Sequence, residues 1–482
     1  MKIPRHIFRE YDIRGVADVD LTDDLAHGLG RAFARILLRD AKPGAAPPRV
    51  AVGRDGRLSS DRLFAALTDG LLTGGVNVIS VGVGPTPLLY FSAHSLSTEG
   101  AVMITASHNP GPDNGFKLMR GKSSFYGTDI QALADLTEQD TAEREDPTPP
   151  RGELTTQAME AAYIEGVRRA SRLEQTGPVK FVIDAGNGAA GPLGVATLRA
   201  LGFEPEALYC EMDGSFPNHH PDPTVPKNLE ALRKRVIETG AQLGIAWDGD
   251  GDRIGAVDEA GNIIWGDKLL ILFARALLRE HPGALILGEV KCSETLYADI
   301  TKHGGRSLVW KTGHSIIKAK MKQENALLAG EMSGHMFFAD RWPGFDDAIY
   351  ATVRLLEIVT RERRPLGELL ADVPTTHTTE ELRVDCPDAI KFEVVRRILA
   401  RYWPTHRVLD IDGARIDFGD GAWGLCRASN TGPILVMRFE ARTPERRDEI
   451  RREVEQAVAE AMRKSGEAQG ADRTPLPGSG KP

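Results

Sequence analysis

RVAVGRDGR at residues 49–57, a helical stretch, and then GGVNVISVGVG at 74–84 form a strand, a loop with Gly and charges, a helix and a second strand. The order returns in VKFVIDAGNGAAG (179–191) with LGFEPEALYC (201–210), and in ALILGEVKCSET (284–295) with GGRSLVWKTG (304–313). In each unit the strands are far enough apart for a helical crossover, which a parallel pair requires and a hairpin does not. The chain therefore carries three related α/β units.

DPTPPRG (146–152) cannot continue a helix, because its prolines lack amide donors and restrict their neighbours, so it marks a first boundary. A further boundary lies near DVPTTHTT (372–379). Beyond it, strand-like ELRVD, ARIDFGDGAWGLCRA and ILVMRFEA, together with helices, predict a smaller α+β domain. In its last helix Thr443 is the N-cap, Pro444 takes the first helical position, and Ile450, Val454, Ala457, Val458, Ala461 and Met462 line one buried face. The expected domains are 1–150, 151–258, 259–371 and 372–465. The tail 466–482 has too few apolar residues to offset its ordering entropy and is expected to be disordered.

At 482 residues, three or four compact units are expected, and 41% hydrophobic with 27% charged residues is ordinary for a soluble globular protein. A net charge of -8 offers no broad basic footprint, which disfavours nucleic acid as a partner. Cys210, Cys292, Cys386 and Cys426 form no CxxC pair, which fits a reducing cytoplasm. MKIPRHIFREYDIRG lacks the apolar core of a signal peptide, and no later run is long enough to span a membrane.

Four stretches carry chemistry. EGAVMITASHNP (99–110) predicts a buried strand ending at Ser107, with Asn109-Pro110 turning the chain and exposing the hydroxyl. Such a serine serves as a nucleophile or phosphoryl carrier, or simply caps a turn. WDGDGDR (247–253) places Asp248, Asp250 and Asp252 at alternate positions. Three converging anions repel unless a cation binds, and oxygen ligands suit Mg²⁺ or Ca²⁺ better than zinc. An EF-hand is excluded because Arg253 stands where that loop needs Gly, although Glu259 occupies its twelfth place. Arg253 suits a phosphate instead.

In ALLAGEMSGHMFF (326–338), Glu331, Ser333 and His335 alternate, a pattern that suits a ligand with several hydroxyls or an ordinary polar turn. RASNTGP (427–433) is a loop in which Arg427, Ser429, Asn430 and Thr431 resemble a phosphate cradle. EYDIRG with Tyr11 and Arg14, NGFK with Lys117, and KTGH ending at His314 add weaker polar candidates.

TASHNP, DGDGDR, GEMSGH and RASNTGP, in this order, resemble the phosphohexomutase superfamily, with bacterial bifunctional phosphomannomutase/phosphoglucomutases most similar. The resemblance runs from FREYDIRG at Phe8 to the final helix and takes in PNHHPDP at 217–223. It implies three similar α/β mixed-sheet domains and a fourth resembling the TATA-binding-protein fold, around one central cleft. It makes Ser107 the phosphoserine, and Asp248, Asp250 and Asp252 the ligands that share Mg²⁺ with it. Glu331 and Ser333 would contact sugar hydroxyls, and Arg427, Ser429, Asn430 and Thr431 the phosphate that is not reacting.

By the same resemblance Tyr11, Arg14, His108, Lys117, Arg253, Lys291, His314 and His335 surround the cleft. Lys117 and His335 would serve proton transfer and transition-state charge, with Arg14 and Arg253 as electrostatic support. The implied reaction interconverts hexose 1- and 6-phosphates, of mannose and glucose, through a hexose 1,6-bisphosphate that also acts as activator. Sugar phosphates are the implied partners, with no obligate protein partner. Gly432 departs from the family, whose members usually carry a side chain there. Two rivals remain. Gly186, Gly188 and Gly191 spell the G-x-G-x-x-G of a dinucleotide site, though the other two units lack it, and a non-catalytic sugar-phosphate binder would need no serine beside a metal.

Overall fold

The computed structural model describes residues 3–140, 149–173, 179–429 and 432–471. The chain forms two compact units: Met1–Gly288, Ala298–Leu308 and Gly313–Asp372 make one, and Glu289–Tyr297, Val309–Thr312 and Val373–Pro482 the other. Helix Ser60–Thr73 buries Leu63, Leu67 and Leu71 at helical spacing in one core with Val50 and Val52 of strand Arg49–Arg54. That strand runs parallel to Asn77–Val83 on one side and to Gly100–Ile104 on the other. The order is Ile13–Val16, Asp113–Arg120, Gly100–Ile104, Arg49–Arg54, Asn77–Val83 and Leu154–Thr156, with Ser123–Ser124 also pairing to Asp113–Arg120.

The second sheet repeats the scheme. Phe181–Asp184 crosses through helix Ala190–Ala200 to the parallel strand Glu206–Leu208, and also pairs in parallel with Leu243–Trp247. Leu243–Trp247 then turns back antiparallel into Ile254–Asp258. In the third sheet, Leu285–Glu289 is flanked by Arg306–Trp310 and by Leu328–Gly330, which forms a hairpin with Met336–Phe338.

Two expected boundaries shift. Leu154–Thr156 still pairs with Asn77–Val83, so the first sheet reaches past residue 150. Ile263–Ile264 closes antiparallel on Ile254–Asp258, so the second sheet extends past residue 258. Pro149 and Pro150 precede Leu154–Thr156, and a turn containing Gly261 precedes Ile263–Ile264, yet both strands join the hydrogen-bonded ladder.

Residues contributed by all three α/β units meet in an aromatic cluster. The Phe91 ring stacks on Trp342 at 5.7 Å between centroids, and Trp342 on Tyr350 at 4.7 Å. Tyr163 meets both Phe91 and Trp342 edge-on. Beneath them Asp347 caps helix Ala348–Glu362 by accepting from Tyr350 N, and also accepts from Tyr163 Oη at 2.9 Å and Trp342 Nε1 at 3.2 Å.

In the second unit the sheet order is His377–Thr378, Ile434–Ala441, Ala422–Ala428, Ala414–Gly419 and Arg407–Leu409, with Leu382–Asp385 also pairing to Ile434–Ala441. Helices Asp388–Tyr402 and Pro444–Ala471 share its core. ARIDFGDGAWGLCRA is therefore two strands, turned by Asp420 and Gly421 at φ 54° and 76°, the paired positive angles of a tight hairpin. Thr443 Oγ1 accepts from Arg446 N at 3.2 Å, as an N-cap should. The last helix continues to Ala471, so residues 466–471 are helical rather than disordered; once nucleated and packed, a helix adds a hydrogen bond per residue. Residues 472–482 lie outside the described residues.

Burial pushes the Asp347 carboxyl up to about 7, against the hydrogen bonds from Tyr350, Tyr163 and Trp342. As pH falls from 7 to 4, Asp347 takes up its proton in the folded chain while still ionised in the unfolded one, so folding gains stability. Denaturation midpoints across this range should shift in favour of wild type over Asp347→Asn as pH falls. A pH-independent difference between the two proteins would overturn the assignment.

Candidate active site

Strand Gly100–Ile104 is buried along its whole length and ends before Thr105, short of the expected end at Ser107. Ser107 sits in the turn beyond it, at φ 52° and 1% exposed, so its hydroxyl faces the protein interior rather than solvent. The reason is what covers it. Ser107 Oγ donates to Asp248 Oδ2 at 2.8 Å and lies 3.1 Å from His108 Nδ1, while its N–H donates to Thr105 Oγ1 at 2.9 Å.

The second sheet supplies the facing loop. Between Leu243–Trp247 and Ile254–Asp258, Asp248 Oδ1 accepts the amides of Gly251, Asp252 and Arg253 at 3.0, 3.1 and 3.1 Å. One carboxylate oxygen thus organises the turn while the other receives Ser107. The loop packs so closely that a Cβ on Gly249 would stand 2.3 Å from Ser107 O. Ala189 N, at the start of helix Ala190–Ala200, donates to Gly249 O at 2.9 Å. The aspartate loop thus occupies this end of the G-x-G-x-x-G turn, where a dinucleotide phosphate would need to sit.

Asp248, Asp250 and Asp252 are fully buried, with ligand oxygens within 4.8 Å of one another. Lys117, on strand Asp113–Arg120, donates to Asp250 Oδ2 at 2.7 Å and Asp252 Oδ2 at 2.6 Å. Burial opposes its charge, but the two carboxylates outweigh burial and raise its pKa. Burial would also raise Asp252, yet Lys117, His335 and Arg253 hold it well below the usual carboxylate range. Burial, then Asp252 and Asp250, push Asp248 well above that range, so its ionised form is costly unless a cation offsets the charge. Asp250 Oδ1 is buried without a hydrogen-bond partner among the described residues. Three carboxylates, one with an oxygen to spare, can hold a metal ion.

The third sheet brings GEMSGH across its hairpin. His335 Nδ1 donates to Glu331 Oε2 at 2.5 Å, and its Nε2 lies 3.2 Å from Asp252 Oδ1. Burial works against a charged imidazole, but Asp252 and Glu331 overcome it, despite Arg253, and push His335 up to about 9. Ser333 Oγ donates to Glu331 Oε2 at 3.1 Å and Gly313 N to Glu331 Oε1 at 2.7 Å. The His314 ring lies 5.6 Å from that of His335 and 6.2 Å from that of Tyr11. Arg253 Nε stands 3.9 Å from Asp248 Oδ2, and Arg14 reaches Asn109 Oδ1 at 2.9 Å and Ala106 O at 3.2 Å. His108 is driven well below its ordinary value by burial, then by Arg253 and Arg14, and stays neutral.

Lys291, Arg427 and Ser429 belong to the second unit. Arg427 lies in strand Ala422–Ala428 rather than in the loop, because its residue pairs in register with Val436, and its guanidinium is held by Asp412 at 3.0 Å. Lys291 pairs with Glu381 at 3.1 Å. Lys391 Nζ donates to Ser429 O at 2.6 Å and Gly432 O at 3.1 Å, and a Cβ on Gly432 would meet nothing within 4 Å. Asn430 and Thr431 lie outside the described residues.

Several partners were not apparent from the motifs. Thr86 donates its amide to Asp250 O at 2.8 Å and its hydroxyl to Asp250 Oδ2, from the first turn of helix Thr86–Leu96, which carries no motif of its own. Asp12 anchors Arg14 at 2.7 Å and stands inside EYDIRG, where its spacing to Arg14 was the available signal. Lys318 pairs with Asp346 at 2.8 Å, beside His335 and Asp252.

The chain matches the four phosphoglucomutase/phosphomannomutase family models: alpha/beta/alpha domain I at residues 5–144, domain II at 161–261, domain III at 265–377 and the C-terminal domain at 381–457. A phosphomannomutase/phosphoglucomutase of Pseudomonas putida is 46% identical over 440 residues, covering 91% of this chain and 92% of that protein. A phosphoglucomutase of Neisseria gonorrhoeae is 44% identical, covering 92% and 94%. The crystal structure of a phosphoglucomutase/phosphomannomutase family protein from Burkholderia thailandensis superposes with a TM-score of 0.87 at 40% identity, covering 95% of this chain and 98% of that one.

Gly249→Ala tests the contact between the serine and aspartate loops. Its methyl group must push Ser107 O away, and displacing reacting groups by about 1 Å costs about a hundredfold in turnover. Steady-state assays should show this loss with a circular dichroism spectrum like wild type. Unchanged turnover would mean that the loops need not approach as they do.

Proposed function

This chain belongs to the phosphoglucomutase/phosphomannomutase family and interconverts hexose 1-phosphates and hexose 6-phosphates, and we propose that Ser107 is the residue that carries the phosphoryl group. One observation supports the assignment above others: the buried Ser107 hydroxyl lies 2.8 Å from a carboxylate of the three-aspartate loop, among Lys117, Arg253 and His335.

Phosphoryl transfer requires in-line positioning and dispersal of negative charge more than covalent chemistry. Asp248, Asp250 and Asp252, with the phosphoserine, would hold Mg²⁺, which when bound neutralises charge on the phosphoryl oxygens. Arg14 and Arg253 face the same oxygens as fixed cations. In the first transfer the bond from phosphorus to Ser107 Oγ breaks and a bond to the free sugar hydroxyl forms. That hydroxyl releases a proton and Ser107 Oγ takes one up, so none is consumed.

Lys117 and His335 carry this proton traffic: with their pKa values raised, one of them gives its proton to the departing Ser107 Oγ and regains a proton from the attacking sugar hydroxyl. Neutral His108, beside Ser107 Oγ, orients the hydroxyl. The hexose 1,6-bisphosphate then turns around and returns its other phosphate to Ser107. Glu331 and Ser333 contact the sugar hydroxyls in both orientations, with Tyr11 and His314 beside them, and the substrates are mannose and glucose phosphates. Arg427, Ser429, Asn430, Thr431 and Lys291 hold the phosphate that does not react. No helix among the described residues is long and apolar enough to cross a membrane, and the cytoplasm is the proposed location.

Mass spectrometry of purified protein should find phosphate on the TASHNP peptide, and glucose 1,6-bisphosphate should raise the modified fraction. Ser107→Ala should fold and lose about a thousandfold or more in turnover. Near-normal turnover in that variant, or label trapped only elsewhere, sinks the assignment. Separately, EDTA should abolish turnover and Mg²⁺ restore it, with Asp250→Asn weakening the restoration; full activity of metal-free protein would rule out the metal reading.

A further inference from the structure

The loop GRDGR, in the stretch that defines the first α/β unit, takes no part in the chemistry above. Its Arg57 side chain is completely buried, yet it pairs mainly with backbone. One terminal nitrogen, Nη2, donates to Ser107 O at 2.7 Å and Asn109 O at 2.7 Å. The other, Nη1, donates to Pro110 O at 2.6 Å and Asp113 O at 2.9 Å. A single guanidinium thus gathers four carbonyls of the turn that follows the catalytic strand.

Asp55 completes the clamp. Its Oδ2 lies 3.2 Å from Arg57 Nε and accepts from Thr105 Oγ1 at 2.7 Å, and that hydroxyl accepts Ser107 N. Both the amide and the carbonyl of Ser107 are therefore tied to the Asp55–Arg57 pair. From the second α/β unit the Phe216 ring lies 5.2 Å from Arg57 Cζ, and His220 Nε2 bonds His108 O.

Ser107 holds φ at 52°, a region that a residue with a side chain occupies only when its surroundings impose it. The Ser107 carbonyl is buried and the other three lie in part-buried bonds; buried carbonyls left without donors carry their full desolvation cost. Only a planar fork with several donors can satisfy four of them at once; an ammonium is a point charge with three. We propose that Arg57 is a positioning residue, holding the 107–113 turn so that Ser107 Oγ stays aligned with Asp248 while Arg57 itself touches neither the hydroxyl nor a carboxylate ligand. The inference rests on Ser107 being the phosphoryl carrier.

The test compares Arg57→Lys, Arg57→Met and Arg57→Ala with wild type, using glucose 1-phosphate for kinetics and glucose 1,6-bisphosphate to load Ser107. Misplacing the nucleophile should lower kcat at least about tenfold in all three and leave KM within about threefold, with Arg57→Lys unable to rescue. Adding methylguanidinium should restore Arg57→Ala turnover at least about threefold, a response that a general loss of folding would not show. A folded Arg57→Met with wild-type kcat overturns the proposal. Failure of all three variants to fold also overturns it, in favour of a role in the domain as a whole. If wild-type Ser107 takes no phosphate from the bisphosphate, the phosphoserine reading fails on its own. Labelled wild type with unimpaired Arg57 variants removes only the role of Arg57.

Discussion

Three carboxylates that face one another in a fully buried loop impose the central constraint on this protein. Their mutual repulsion in a poorly screened interior must be met by cations or protons. Lys117 comes from the first sheet, Arg253 from the aspartate loop and His335 from the third sheet, so three α/β units contribute to one charge balance. Such an arrangement is costly when half-made and stable only when every member is present, which links the integrity of the site to the packing of the units that build it.

The same constraint suits phosphoryl chemistry. A buried site that already concentrates carboxylates, guanidiniums, an ammonium and an imidazole can stabilise spreading phosphate charge with little rearrangement. Asp248 divides its work, one oxygen holding the turn of its own loop and the other receiving Ser107. Glu331 divides its work likewise, meeting His335 and Ser333 through Oε2 and the Gly313 amide through Oε1. Each anchor therefore joins a chemical group to a piece of backbone.

Much of this was legible in the chain. The strand–loop–helix–strand repeat survives as parallel pairs in the first and second sheets, since hydrophobic runs and crossover length are local properties. DGDGD announced a cluster of carboxylates that could hold a cation, because its spacing and chemistry lie within one short segment, and GEMSGH a polar hairpin for the same reason. The boundaries were less legible, because Leu154–Thr156 and Ile263–Ile264 are short strands whose pairing depends on distant partners.

The sequence by itself determined which side chains could do the chemistry: the alternate aspartates, the serine after an apolar strand, and the Glu-x-Ser-x-His hairpin. Only tertiary structure decided that Ser107 is buried, that Lys117 lies between Asp250 and Asp252, and that Thr86 and Arg57 belong to the same neighbourhood. Those facts join residues dozens to more than a hundred positions apart. Such contacts follow from how the sheets bury their faces and satisfy their charges, and no local pattern of residues encodes them.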